Sequence, residues 1–255
     1  MSAHSDADFV QILVPEWPAP PKVHAAFTLR SGGVSARPFD SLNVGAHVGD
    51  EAAAVAENRR RVRARLSLPE EPAWLEQMHG VKVVDLDAAA PAAVMPAADA
   101  AFSRRAGRVC VVQVADCLPI LLATRDGSAV AAAHAGWRGL AAGVLEATVK
   151  RLTAEPADLI AWLGPAIGAA HFEVGAEVRQ AFLANDTAAA DAFIPNTRGR
   201  WQCNLAGLAR RRLAALGINA VFGGRWCTST DATRFFSYRR DGRCGRMAAL
   251  IWREK

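Results

Sequence analysis

Three residues with metal-binding or nucleophilic side chains stand where apolar runs give way to turn residues. His79 lies in the segment LEQMHG, Cys117 follows the run VCVVQVAD, and His134 closes the run AVAAAH. Strand ends are places where a rigid scaffold projects side chains into a cleft. Imidazole nitrogen and thiolate sulfur are donors that Zn²⁺ prefers, and three protein ligands with one open position characterise a catalytic zinc site. Such a metal lowers the pKa of a bound water to about 7.

The residue types alone leave other interpretations open. The long gaps between the three residues match no local zinc-binding pattern, so two buried histidines and an inert cysteine would also explain them. Alternatively, Cys117 is a nucleophile with His134 as its base and Asp116 or a more distant carboxylate as the orienting group. Asp116 is not expected to share a metal with Cys117, because neighbouring strand residues point to opposite faces.

Several basic or glycine-rich segments could bind an anion. Arg30 and Ser31 precede two glycines whose N–H groups suit an anion, although the lysine and spacing of a P-loop are missing. Arg138 stands at the start of a predicted helix, where negative charge is favoured. Arg239 precedes a glycine-rich turn. A plain turn, an ion pair and simple surface exposure remain the alternatives. The other histidines are expected to be packing or surface residues: His4, His24, His47 and His171.

Short strands and amphipathic helices must position these residues. Alternation and β-branched runs predict strands at Phe9–Val14, Val23–Leu29, Ala73–Met78, Val81–Leu86, Arg108–Val114, Leu118–Thr124, Ala129–His134, Leu159–Leu163, Asn219–Phe222 and Met247–Trp252. Helical periodicity predicts helices at Glu51–Leu66, Arg138–Leu152, Val174–Ala184 and Asn204–Leu216. The stretch Ala88–Ala98 is predicted as a loop. The mixture predicts an α/β (mixed α+β) fold with mixed sheets, in one layered domain over residues 1–255.

Composition narrows the class of protein. The chain has 255 residues, 51% hydrophobic and 22% charged, as in globular proteins. No signal peptide is recognised, and the longest apolar run is interrupted by Gln113 and Asp116, so we expect no membrane partner. Five widely spaced cysteines predict a reducing, cytoplasmic location. The net charge of +5 comes without a nucleic-acid-binding motif, so a small anion is the expected partner rather than nucleic acid. We expect a monomer, with a dimer as the alternative.

Longer segments carry a family resemblance. Between Thr28 and Trp252 the chain contains, in order, TLRSGGVSARPFDSLNVGAHVGD, ENRRRV, QMHG, VADCLPILLA, AHAGWRG, LGPAIG, FEVGAEV, CTST and FFSYRRDGRCGR. With these segments the sequence resembles the YfiH-type proteins. Members of that family have been named multicopper polyphenol oxidoreductases or laccase-like proteins, purine nucleoside phosphorylases and peptidoglycan editing factors.

The resemblance implies a four-layered mixed α/β fold and a catalytic zinc site formed by His79, Cys117 and His134. It also implies phosphorolysis of adenosine, inosine and methylthioadenosine, together with adenosine deamination. Zinc deaminases attack a purine at C6, whereas phosphorolysis needs a phosphate, which arginines could hold. The residues in family motifs that could bind substrate are Arg30, Ser31, Asn43, Gln77, Arg138 and Arg239.

Some positions depart from the family pattern. Ala166 stands where relatives often have cysteine, and Asn204 stands where aspartate is common. A multicopper oxidase would need many more histidines than the six present, so copper is not the expected metal. Two alternatives stay open: a metal-free Cys117–His134 hydrolase acting on amides or peptidoglycan precursors, and a non-catalytic metal-binding module whose C-terminal part docks a partner. That part is basic, with 12 Lys and Arg against 3 Asp and Glu from Arg200 onward.

Overall fold

The computed structural model describes residues 9–88 and 95–255. Its strands are β1 (Ile12–Leu13), β2 (Val23–Thr28), β3 (Val83–Asp85), β4 (Ala100–Ser103), β5 (Val109–Val114), β6 (Leu118–Thr124), β7 (Val130–Ala135), β8 (Leu159–Leu163), β9 (Glu173–Val174), β10 (Phe193–Pro195), β11 (Trp201–Cys203), β12 (Ala220–Gly223) and β13 (Met247–Arg253). Its α-helices are α1 (Ala52–Arg65), α2 (Trp137–Ala142), α3 (Val144–Leu152), α4 (Ala176–Leu183), α5 (Leu205–Ala215) and α6 (Tyr238–Asp241).

The described strands form three sheets. A four-stranded antiparallel sheet has the order β1-β2-β13-β5. A six-stranded mixed sheet has the order β12-β8-β6-β7-β4-β3, in which the outer pairs β12–β8 and β3–β4 are parallel. A small antiparallel sheet, β10-β11-β9, completes the set. The prediction of mixed sheets is therefore confirmed.

The two large sheets stack on each other because their strands are apolar on both faces. In β5, Cys110 and Val112 point into the core between the sheets, whereas Val111 points to the outer side, where Val62 of α1 packs. In β6, Leu121 faces that same inner core. The alternate residues of β6 face the core formed with α2, α3, α4 and α5: Leu118, Ile120 and Leu122. The layers are therefore α1, the four-stranded sheet, the six-stranded sheet and the helices α2–α5. This agrees with the predicted layered α/β fold.

Local sequence patterns predict some of these elements correctly and others wrongly. The predicted bounds of β6 and β8 agree with the structure. The prediction of one helix over Arg138–Leu152 is wrong, because Gly143 adopts a left-handed conformation with φ 103° that separates α2 from α3. The predicted strand Ala73–Met78 is also wrong: its backbone makes isolated bridges to different partners, at Ala73 and Glu76.

Other predictions differ in extent. β1 is shorter than predicted, and β4 and the small sheet were not predicted, because strands of two to four residues show too little alternation. His4 and residues 89–94, which are part of the predicted loop Ala88–Ala98, lie outside the described residues.

No helix in the described part of the chain is long and apolar enough to span a membrane. The single-domain assignment of residues 1–255 stays a prediction.

Candidate metal centre and cleft

Strand register brings Cys117 and His134 to one edge of the six-stranded sheet. At Ala115–Cys117 the chain leaves β5 of the four-stranded sheet and enters β6 of the six-stranded sheet. β6 and β7 are antiparallel, with Pro119 opposite His134. The start of β6 and the end of β7 therefore lie side by side, which places two residues that are distant in sequence next to each other.

His79 completes a compact group of possible ligands. One ligand atom from each of His79, Cys117 and His134 lies within 4.8 Å of the others. The Nε2 atom of His79 is 3.7 Å from the Cys117 sulfur, and the two imidazole rings meet edge to face with centroids 4.8 Å apart. In residues 9–88 and 95–255, no other group of three metal-ligating side chains is found.

Gly136 leaves the space that this group needs. A Cβ atom at this position would lie 2.8 Å from Cδ2 of His79 and 3.0 Å from the Cys117 sulfur. Two nitrogens and one sulfur are a donor set that suits zinc. The donor atoms present and the space left beside them therefore suit a zinc ion.

The charges of the group favour a thiolate. Burial raises the pKa of the Cys117 thiol, but the neighbouring His134 and His79 outweigh burial and lower that pKa to about 6. Burial likewise lowers the pKa of His134, but the Cys117 thiolate and the Asp99 carboxylate outweigh it and raise that pKa. Without a metal, the site thus holds a thiolate beside an imidazolium at neutral pH.

This charge state predicts an alkylation profile for the metal-free protein. We expect the rate of iodoacetamide reaction at Cys117 to rise with a midpoint near pH 6, since only the thiolate reacts. Mass spectrometry of the Cys117 peptide after chelation measures this rate at each pH. His79→Gln should move the midpoint towards the ordinary thiol value of about 8.5. A midpoint near 8.5 in the unaltered protein would contradict the charge pairing.

Sequence reasoning missed Asp99, the residue directly before β4. Its side chain is 1% exposed and its Oδ1 atom lies 2.9 Å from Nδ1 of His134. The only available signal was an acidic residue in the alanine-rich run AADAA, since aspartate is almost never fully buried without a partner.

Asp116 is not the group that orients His134, because its carboxylate is bound to other residues. Its carboxylate accepts hydrogen bonds from the Thr228 hydroxyl and from the backbone N–H of Arg239, both at 2.6 Å. Its backbone is left-handed, with φ 90°. Asp116 therefore stabilises the turn between the two sheets and ties Cys117 to the segment that carries Arg239.

A cleft of about 540 Å³ opens over the metal-binding group. Of the residues predicted from the sequence, six line this cleft: Gln77, His79, Cys117, His134, Arg138 and Arg239. The Gln77 amide is bound to the backbone N–H and C=O of Gln113, which makes it part of the wall. Arg138 is exposed and stacks on Trp137, and Arg239 donates to the Glu173 carbonyl.

The other three predicted residues, Arg30, Ser31 and Asn43, are not among those lining the cleft. The Arg30 guanidinium donates to the carbonyls of Asp40 and Ala232 and lies over the ring of Phe236. Asn43 is fully buried, and its amide bonds the backbone of Gly45 and Arg246. Arg30 and Asn43 connect segments of the fold beside the cleft.

The cleft also contains residues that the sequence did not single out as functional. His47, expected to be a packing or surface residue, lines the cleft near Arg246. Burial, followed by the charges of Arg246 and Arg59, lowers the pKa of His47. Aromatic walls come from Trp137, Phe172 and Tyr238. The string GAHVGD, part of the family resemblance, was the one signal that could have indicated His47.

The fold and the site define a mixed α/β protein in which a His–Cys–His group and three arginines line one cleft. The family described as multi-copper polyphenol oxidoreductase laccase matches residues 24–254, and the chain belongs to this family, which includes the YfiH proteins.

Relatives and solved structures support the assignment. A purine nucleoside phosphorylase of Pseudomonas aeruginosa is 55% identical over 94% of this chain and 97% of its own length. The purine nucleoside phosphorylase YfiH of Escherichia coli is 51% identical over 95% and 98% of the two chains. The crystal structure of a Neisseria meningitidis protein, 45% identical, superposes with a TM-score of 0.92 over 96% and 99% of the chains. The crystal structure of YlmD from Geobacillus stearothermophilus, 30% identical, gives 0.85 over 97% and 100%.

Proposed function

We propose that this protein is a zinc-dependent purine nucleoside phosphorylase that also deaminates adenosine. The observation that carries the proposal is that one cleft combines the His79–Cys117–His134 group with Arg138 and Arg239. Relatives of 55% and 51% identity over nearly the whole chain are named purine nucleoside phosphorylases, which supports the same activity.

His79, Cys117 and His134 are the proposed zinc ligands. When bound, zinc supplies Lewis acidity for activating an oxygen nucleophile. Although the family is described as multi-copper, a multicopper centre needs several groups of ligands, and the described residues contain one group of three. Zinc is therefore the metal we propose.

The cleft walls provide the contacts that a nucleoside and a phosphate need. A volume of about 540 Å³ lies in the range of small-molecule sites. Trp137, Phe172 and Tyr238 offer aromatic surface for a purine ring. Arg138 and Arg239 offer guanidinium donors, which bind phosphate oxygens well. With phosphate held near C1′ of the ribose, a phosphate oxygen forms a bond to C1′ as the C1′–N bond to the base breaks. The base leaves with the proton that the phosphate gives up, and ribose 1-phosphate is the other product.

Product analysis and metal analysis test the proposal. The purified protein is incubated with adenosine, inosine or methylthioadenosine, with and without phosphate, and its bound metal is measured. We expect about one zinc per chain, phosphate-dependent release of the free base, and phosphate-independent formation of inosine from adenosine. Zinc-containing protein that forms none of these products would favour the non-catalytic metal-binding module.

Arg239→Met is expected to raise the KM for phosphate by roughly 10- to 100-fold, because a charged hydrogen bond contributes about 1.5–3 kcal/mol. The KM for the nucleoside should change much less. Steady-state kinetics with either substrate varied measures both values. Arg30→Met is the matched control: Arg30 is not part of the cleft lining, so this change should lower stability and leave the KM for phosphate unchanged. Equal effects of the two substitutions would argue against phosphate binding by Arg239.

A metal-free Cys117–His134 hydrolase is the second candidate. It is supported by the contacts of His134 with Asp99 on one side and Cys117 on the other. In such a triad Cys117 is the nucleophile, His134 the base and Asp99 the group that orients the base. Chelated protein is incubated with amide-containing peptidoglycan precursors, and the release of ammonia or of a carboxylate is measured. Hydrolysis that survives complete metal removal would favour this candidate over the zinc enzyme.

A further inference from the structure

One buried carboxylate contacts both histidines of the candidate metal centre. Oδ1 of Asp99 accepts the backbone N–H of His79 at 2.8 Å and lies 2.9 Å from Nδ1 of His134. Its Oδ2 atom accepts the N–H groups of Met78 at 3.1 Å and Gly80 at 2.7 Å. Both oxygens are thus used, and a single oxygen is shared between the segments that carry the two histidines.

The bonds to the backbone account for the position of His79. This residue adopts φ 59°, a left-handed conformation that is uncommon for residues other than glycine. Three successive N–H groups, from Met78 to Gly80, converge on the Asp99 carboxylate. These bonds stabilise the left-handed turn, and the turn directs the imidazole of His79 towards Cys117.

The hydrogen bond between Asp99 and the His134 ring decides which ring nitrogen of His134 is free. Because Asp99 occupies the Nδ1 side, the Nε2 atom is the nitrogen left to bind a metal. The backbone of the two residues is joined as well, since the His134 N–H donates to the Asp99 carbonyl at 2.7 Å. The ring of His134 is 3% exposed, so water offers little competition for these bonds.

We propose that Asp99 is the positioning residue of the metal centre: its carboxylate sets the turn of His79 and the tautomer of His134 together. The proposal rests on the proposed zinc site. It goes beyond the binding of zinc by assigning the geometry of two ligands to one acidic side chain that is not itself a ligand.

Metal affinity distinguishes this role from simple support of the fold. Asp99→Asn keeps the side-chain shape but removes the charge and one acceptor. Leu122→Ala in β6 is the control for a general loss of stability, since it removes buried side-chain volume from the six-stranded sheet on the face towards the helix core. Zinc affinity is measured by competition with a chelator, and the site is examined by the cobalt–thiolate absorption of Co²⁺-loaded protein.

For Asp99→Asn we expect zinc affinity to fall by roughly 10- to 100-fold, with an altered cobalt–thiolate band. Leu122→Ala should lower the thermal midpoint while affinity and absorption stay at the wild-type values. Wild-type affinity and an unchanged cobalt spectrum in Asp99→Asn would overturn the proposal. If the wild-type protein itself bound no metal, the proposed function would fail instead.

A second measurement needs no variant, so it stands even if Asp99→Asn does not fold. In zinc-loaded, ¹⁵N-histidine-labelled wild-type protein, NMR should show His134 protonated at Nδ1 and without a proton at Nε2. A His134 ring protonated at Nε2 would show that Asp99 does not set the tautomer, which would overturn the proposal.

Discussion

Cys117→Ala is expected to abolish both bound zinc and phosphorolysis, with a fall in kcat/KM of about 10³-fold or more. The substitution removes the one sulfur donor of the group and leaves two histidines, which is fewer ligands than catalytic zinc sites use. It also removes the negative charge that pairs with His134. Metal content and product formation are measured on the same preparation.

Cys227→Ala is the matched control for this experiment. Cys227 is also a free thiol, and its sulfur accepts the backbone N–H of Gly168 at 3.2 Å, but it is not among the residues that line the cleft. This variant should retain zinc and activity. If Cys117→Ala lost its metal and still phosphorolysed nucleosides, zinc would have no part in the reaction.

Gly136→Ala is expected to lower kcat/KM by about 10²-fold or more while the protein stays folded. Gly136 has φ −60°, which alanine adopts without strain, so the backbone tolerates the change. The added Cβ would lie 2.8 Å from the His79 ring and 3.0 Å from the Cys117 sulfur, and these ligands must move apart to accept it. We expect kinetics and zinc affinity to show a loss of function at the site, and thermal unfolding to show that the protein is still folded.

Gly143→Ala makes the same chemical change a short distance along the chain. At φ 103° the alanine is strained, but its Cβ would meet nothing closer than the Glu146 carboxylate at 3.4 Å. We therefore expect a loss of stability of about 1–2 kcal/mol with little loss of kcat/KM. If Gly136→Ala kept full activity and zinc affinity, the ligands would not need the space that Gly136 leaves.

Much of the fold could be predicted because several strands are apolar on both faces. β6 and β8 are fully buried runs with clear boundaries, and local sequence is enough to recognise them. Elements that depend on distant partners were harder. β4 has only four residues, and the segment Ala73–Met78 divides its backbone bonds between different partners, which no local pattern records.

For the site, the sequence by itself determined the residue types and the family: His79, Cys117 and His134 stand in recognisable motifs. Tertiary structure alone decided that these residues meet, because the antiparallel register of β6 and β7 and the turn at His79 bring separate segments together.

Long-range contacts also decided which arginine lies in the cleft. Arg239 lines the cleft, whereas the guanidinium of Arg30 is bound to carbonyls of two other segments. Long-range contacts likewise placed Asp99 beside His134 and His47 in the cleft wall. The physical reason is that a motif specifies a side chain and its local backbone, whereas hydrogen-bond partners, burial and charge neighbours come from segments far apart in the sequence.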